Sequence, residues 1–590
     1  MARTSTATLV AFADALPVPR RLVAGERGGR LTVHVRAGAH RFHRDLPVSR
    51  IWGYDGTVPG PTIEAERGQP VTVEWRNELE GHLPVVVTTA PEATDADGVS
   101  VQCAPGLSGG APDERAAALS GHTVVHLHGG LTPASYDGWA ENLFAPGQSA
   151  VFHYPMEQRA ALLWYHDHVM GTTKFDVYAG LAGLWIVRDG RERELALPEG
   201  PPFELPLLIQ DRNFDLDDRG RLTGQLVHKT DPEVMETFAP FTVVNGKVWP
   251  VLDVQPATYR LRVINGSNAR TYRLVLVGDG DPELERITQI GTDHGLLRTP
   301  ARVPSDGLVL ASAERADVLV DFSDLGPGSE LTLLNTAAAP FDGSPFPSAN
   351  AANAADLDGL LPYPQVMLFR VTPGSVTRRR IPRELATDYR PPAPETLAAA
   401  PRRAIALVER ELDNEPNMLT MRELEIAPDD YSGPLFSITG GEQTIRYRTV
   451  ASHFEDATTF FPTLGEYEVW QIINLTGDTH PIHLHLDPFQ ILSRRPIRYE
   501  IPQDIQDFDI AASVTLERDP DDELDHAIDD NERGLKDTIR VNPNEIVEIA
   551  VRFTTYAGRY MYHCHILEHE DRDMMRPFVT MPADLMPFMS

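Results

Sequence analysis

Apolar and polar residues alternate along much of this chain in short runs with a period of two. Val71-Thr-Val-Glu-Trp75, Tyr259-Arg-Leu-Arg-Val-Ile264 and Tyr467-Glu-Val-Trp-Gln-Ile-Ile473 are examples. That period puts successive side chains on opposite faces of a strand, so each run predicts a strand with one buried face. Proline and glycine, 49 and 44 residues, are scattered between the runs and supply the turns. Long helical periodicity is nearly absent. The pattern predicts an all-β chain of sandwiches.

At 590 residues the chain exceeds what one core can organise, so several domains are expected. Two segments read as linkers: residues 190 to 205, charged and proline-bearing, and residues 373 to 402, with the run Arg390-Pro-Pro-Ala-Pro394. Residues 500 to 534 are rich in Asp and Glu and read as a surface loop without regular structure. The formal charge of -32 disfavours nucleic acid and anionic membranes and favours neutral or cationic partners. No apolar stretch has the length of a membrane span, and no basic segment precedes a long apolar core near the N-terminus. Cytoplasmic synthesis without a signal peptide is the expectation. The two cysteines, Cys103 and Cys564, leave no disulfide framework if Cys564 is a metal ligand.

An internal repeat carries the chemistry. His126-Leu-His128 in the first third matches His483-Leu-His485 in the last, and each is followed by a second pair: Trp164-Tyr-His-Asp-His168 and Met561-Tyr-His-Cys-His565. The middle third keeps the strand pattern but holds only His228 and His294, neither in such a pair. Because i and i+2 share a strand face, each pair presents two imidazoles side by side, and the four pairs supply eight. A lone histidine is more often structural than a ligand; a duplicated pattern with matching flanks reverses that.

In His563-Cys564-His565 the imidazoles face one way and the thiol the other. With His480 upstream and His569 and Met574 downstream, one thiolate, two imidazoles and a thioether form the ligand set of a blue-copper centre. Zinc would not call for the methionine, and an all-oxygen site for magnesium or calcium is excluded by ligand type. Where the last third has His480, Cys564 and His569, the first has Thr123, Asp167 and Thr172. Only one such centre can therefore exist. The eight paired imidazoles suffice for a three-copper cluster shared between the outer thirds, and the coppers together store the four electrons that take dioxygen to water.

Through these motifs the chain resembles the multicopper oxidases, closest to bacterial spore-coat-type laccases, with bilirubin oxidase and phenoxazinone synthase as further relatives. Pro59-Gly-Pro-Thr-Ile63, Ser267-Asn-Ala-Arg-Thr-Tyr272 and His569-Glu-Asp-Arg-Asp-Met-Met-Arg-Pro577 read like that subfamily. The resemblance implies three cupredoxin-like Greek-key β-sandwich domains: 1–192 with cluster ligands, 203–372 as a copper-free scaffold, and 400–590 with type 1 and cluster ligands. It makes His126 and His483 the type 2 copper ligands, and His128, His166, His168, His485, His563 and His565 those of the type 3 pair. His480, Cys564, His569 and Met574 would hold the type 1 copper, with Met575 a neighbouring alternative. Two carboxylates, Glu570 and Asp137, match as proton relays or as supports that merely orient a histidine or a water.

The implied activity is one-electron oxidation of small aromatic, phenol-like donors coupled to reduction of O2 to water, in a monomer holding four coppers: one type 1, one type 2 and two type 3. Bilirubin, an o-aminophenol or a metal ion are alternative donors. A copper electron-transfer protein is the non-enzyme alternative, and the eight cluster histidines argue against it. Residues 81 to 120 and 500 to 534 depart from the family pattern, as does the lack of the close relatives' disulfide.

Overall fold

The computed structural model describes residues 9–25, 28–91, 103–231, 235–344, 364–412, 415–501, 512–517 and 528–588. Strands dominate; the longest helix among these residues, Thr173–Ala179, has seven residues. Among the described residues no helix is long and apolar enough to cross a membrane.

The strands fall into three groups along the chain. In the first, a sheet ordered Arg21–Val23, Thr62–Glu66, Ala182–Arg188, Ala161–Asp167, Val125–His128 faces one ordered Ser49–Tyr54, Arg30–His40, Val71–Glu78, Ser149–Tyr154. Leu31, Val33, Val35, Val73, Trp75, Leu163, Tyr165 and Trp185 fill the space between them, the inward positions of alternating strands. A second group, from Glu204 to Val371, packs a seven-stranded on a six-stranded sheet around Leu207, Leu261, Val263, Val318 and Phe369. In the third, eight strands between Arg402 and Arg552 close into a barrel. A separate sheet ordered Thr538–Val541, His480–Leu484, Gly558–Cys564, Met575–Thr580 packs beside it.

Three segments differ from their sequence reading. Residues 190 to 205, expected as a solvated spacer, begin with the helix Gly190–Glu194 and end in the strand from Glu204. Two of their charges, Glu192 and Glu204, are buried: Arg188 grips Glu204 at 2.6 and 2.8 Å, Arg262 reaches Glu204 at 2.6 Å, and Arg260 spans Glu192 at 2.5 Å and Asp317 at 2.9 Å. Composition suggested exposure, but opposite charges arriving from the strand Thr258–Asn265 make burial tolerable. Residues 373 to 402 lie partly against the second group, with Leu385 and Ala386 buried beside Leu297 and Leu319. The acidic stretch 500 to 534 supplies a barrel strand, Ala512–Leu516; its residues 502–511 and 518–527 lie outside the described residues. Within 81 to 120, Val85–Thr89 pairs in parallel with Leu226–Thr230, stitching the first group to the second; residues 92–102 lie outside the described residues.

Candidate metal centres

Each histidine pair sits on a buried strand or straddles its C-terminal end, and strand pairing brings the pairs together. Val125–His128 lies antiparallel to Ala161–Asp167 with His126 opposite His166, and His480–Leu484 lies antiparallel to Gly558–Cys564 with His483 opposite His563. The two strand pairs then face each other across the boundary between the first and third groups. His126 stacks on His485 with ring centroids 4.0 Å apart, and His128 on His483 at 3.7 Å. All eight imidazoles are at most 1% exposed.

Their free nitrogens converge as two triads and a pair. His168, His485 and His563 bring their Nε2 atoms together, at 3.3 Å for His168 to His563 and 3.2 Å for His485 to His563. His128, His166 and His565 form the second triad, with ring centroids 5.0 to 5.9 Å apart. Nδ1 of His128 and Nε2 of His166 and His565 have no hydrogen-bond partner. In the remaining pair, His126 and His483 likewise leave Nε2 without one. The opposite ring nitrogens are tied down. His126 donates to the Asp137 carbonyl at 2.6 Å, His483 to the Asp537 carbonyl at 2.8 Å and His166 to the Asp167 carbonyl at 2.8 Å. Inward nitrogens left orphaned in a buried space are what a metal cluster needs, since an unpaired buried polar atom is otherwise costly.

Burial also sets the protonation. It pushes His126, His166, His483, His485 and His565 well below the usual imidazole range, and His128 and His168 down to about 4. Neutral imidazole is the form that ligates.

On the other face of the Gly558–Cys564 strand, Cys564 Sγ lies 3.6 Å from His480 Nδ1 and 3.8 Å from His569 Nδ1, all three buried. Burial pushes the thiol up and holds His480 at about 3, so the ionised sulfur requires a cation beside it. The Cys564 N–H donates to the Met574 carbonyl at 2.9 Å, and Met574 packs in the same apolar cluster as Cys564. Met575 turns away, into a separate cluster with Ala140, Phe454 and Met561.

Carboxylates hold the ligands from behind. Glu570 places Oε2 3.1 Å from His563 Nδ1 and Oε1 3.4 Å from His168 Nδ1. Burial works to raise its carboxyl, and those imidazoles outweigh it and hold it at about 2. Asp137 accepts from His485 Nδ1 at 2.7 Å and lies 3.7 Å from His126; burial pushes its carboxyl well up.

Sequence reading missed three contributors. Asp537 accepts from His128 Nε2 at 3.0 Å and from Arg315 at 2.6 and 2.5 Å, while His294 lies 3.0 Å from it. It thus links both strand pairs to the second group, yet in sequence it is one acid among many. Glu236 places Oε1 3.3 Å from His569 Nε2. His228 meets Glu568 Oε1 at 2.9 Å, which also accepts from Asn268 at 2.9 Å, tethering the turn between Cys564 and His569. The second group, expected only as a copper-free scaffold, therefore supports both candidate centres.

Two multicopper oxidase family models match this chain, one over residues 429–584 and the other over 38–108 and 117–192. A laccase of Bacillus subtilis is 36% identical over 97% of this chain and 98% of its own length. This chain belongs to the multicopper oxidase family. A Haloferax volcanii laccase is 33% identical to the oxidase over 97% of this chain and 86% of its own. Among solved structures, a multi-copper oxidase from Pediococcus acidilactici is similar with a TM-score of 0.66 at 27% identity, covering 98% of this chain and 93% of that one. The family implies copper as cofactor, and the donor set fits it: thiolate, thioether and imidazole, with no oxygen-rich cage. The oxidase is laccase-type, an oxidoreductase with three cupredoxin-like sandwiches as its fold class.

Proposed function

We propose that the oxidase takes electrons one at a time from small phenol-like aromatic donors and reduces O2 to water at the histidine cluster. The division 1–192, 203–372 and 400–590 serves this: ligands come from the outer units and support from the middle one. His480, Cys564, His569 and Met574 hold the type 1 copper, and His126 and His483 the type 2. The triads His168, His485, His563 and His128, His166, His565 each hold one copper of the type 3 pair.

Copper, when bound, supplies one-electron storage at the thiolate and dioxygen reduction at the cluster. The chain does the rest. Cys564 faces the type 1 pocket while its covalent neighbours His563 and His565 face the cluster, so a single residue step joins the two. Glu570 bridges two cluster imidazoles, where it fixes both rings and, as a carboxylate, can take up a proton and pass it on to oxygen reduction. Asp137 fixes His485 in the same way. The observation that carries the reading is the convergence of eight buried imidazoles beside one Cys-His-His pocket.

The test is an absorption spectrum with a copper-to-protein ratio. An intense orange-red thiolate band and about four coppers per chain support the assignment; a band with about one copper overturns the cluster.

One observation favours a second reading. Glu236, buried with Oε1 3.3 Å from His569 Nε2, sets a carboxylate beside a type 1 ligand, which suits a cationic donor such as Mn(II). Rates on a phenol, an aminophenol, bilirubin and Mn(II) decide between them, a strong preference for the ion displacing the phenol.

A further inference from the structure

On the strand Gly558–Cys564, Tyr562 stands two residues before Cys564 and so points toward the same side. Its hydroxyl is fully buried and donates to Glu423 Oε1 at 2.6 Å. Glu423 is itself buried, held by Arg576 through Nε and Nη2 at 3.1 Å each and by a short contact from the Thr459 hydroxyl.

A buried phenol needs an acceptor, but a backbone carbonyl is enough. The molecule contains that simpler solution. Tyr165 occupies the matching place two residues before Asp167 in the copper-free repeat, and its hydroxyl donates to the Pro61 carbonyl at 2.7 Å. Both tyrosines sit among aromatics, Tyr165 against Tyr54 and Trp75 at 4.8 and 5.2 Å. Of these two, Tyr562 alone has an acceptor able to take its proton, and maintaining it requires burying a carboxylate and a guanidinium as well.

The aromatics around Tyr562 also lead outward. Its ring lies 5.1 Å from Trp470 and stacks at 5.9 Å on Phe460. Trp470 Nε1 donates to Glu468 at 2.9 Å; Arg403, a quarter exposed, pairs with Glu468 at 2.9 Å and lies 5.2 Å over Phe460.

We propose that Tyr562 is a redox-active residue, with Glu423 as its proton acceptor and Trp470 as its link to the surface at Arg403. It supplies an electron when O2 is reduced at copper sites holding fewer than four electrons. The Tyr562 O–H bond breaks and its proton forms an O–H bond on Glu423. The electron passes to the oxidised copper at Cys564, which is reduced by one, and a neutral phenoxyl radical remains. A phenolic reductant at the Arg403 surface then gives one electron by way of Trp470, and the proton returns from Glu423 to the phenolate oxygen. The reductant's own proton leaves to water. This inference rests on Cys564 holding the type 1 copper.

The copper-loaded enzyme, reduced by three electrons per molecule, is mixed with O2 without donor, freeze-quenched and examined by electron paramagnetic resonance. A tyrosyl-type organic radical is expected in the wild type and in Tyr165→Phe, and its loss is expected in Tyr562→Phe and in Glu423→Gln. The orange-red band and copper content, measured on the same samples, establish that each variant still holds its metal. Should Glu423→Gln fail to load copper, Tyr562→Phe decides alone. A radical that survives in Tyr562→Phe, or a wild type with its band and no radical, overturns the proposal and leaves the copper assignment standing. A copper-loaded wild type without the band overturns both.

Discussion

The first and third strand groups each set an antiparallel strand pair beside a pocket, and the two pockets have opposite contents. In the third, His480, Cys564 and His569 turn two ring nitrogens and a sulfur toward one point. In the first, Thr123 and Asp167 stand at the places of His480 and Cys564, and the Thr123 hydroxyl donates to Asp167 Oδ2 at 2.6 Å. The N–H groups of Val124 and Val169 donate to the same carboxylate at 3.3 and 3.0 Å, and Thr172, at the place of His569, donates to Asp176 at 2.9 Å. Burial pushes both Asp167 and Asp176 upward, as expected where protons rather than a metal occupy the pocket. Yet the neighbouring imidazoles are oriented alike: His166 Nδ1 meets the Asp167 carbonyl at 2.8 Å, and His563 Nδ1 the Cys564 carbonyl at 3.1 Å. A strand can therefore present cluster ligands on one face whether its other face binds a metal or a hydrogen-bond network.

The comparison breaks most sharply at Cys564. Cys564→Ser should abolish the orange-red band and almost all turnover, whereas Asp167→Asn should keep both; a band surviving Cys564→Ser would mean the two pockets are not different in kind. Next in size are the shared supports. Asp537→Ala strips His128 and Arg315 of one acceptor, and the loss of copper affinity or of turnover should be about 10- to 100-fold. Dialysis against a graded copper chelator reads this directly. Glu570→Gln should lower turnover by about 100-fold with copper content and blue colour intact; wild-type turnover would remove the relay. Glu236→Gln probes a contact that the first pocket lacks. It should shift the ratio of kcat/KM for a metal ion to that for a phenol by up to about tenfold against the ion, a smaller effect because one hydrogen-bonding partner is retained. The smallest change belongs to the copper-free pocket. Asp167→Ala leaves Thr123 and two N–H groups without an acceptor, costing about 1–3 kcal/mol. Thermal unfolding should register it as a lower apparent Tm with the band unchanged.

Much of the site was legible beforehand because its rule is local. The HxH spacing says that two imidazoles share a face without reference to any other strand, and the thiolate between His563 and His565 follows from the same alternation. Met574 against Met575 was less legible, since adjacent residues differ only in the face they take, and packing separates them. Charged segments misled, because composition cannot tell a solvated Arg from one that meets Glu204 in the interior.

By itself, then, the sequence determined the candidate ligand types, their pairing on strands, the duplication and the single cysteine among them, all of which depend on the two-residue period of a β-strand. Only the tertiary structure decided which acids matter. Asp537 is separated from His128 by 409 positions and from Arg315 by 222. Likewise Glu236, outside any strand, meets His569 on the short helix Leu567–Glu570, and Glu423 meets Tyr562 across distant strands. Such contacts arise where separate sheets dock, and docking depends on how whole faces pack rather than on any periodicity along one segment.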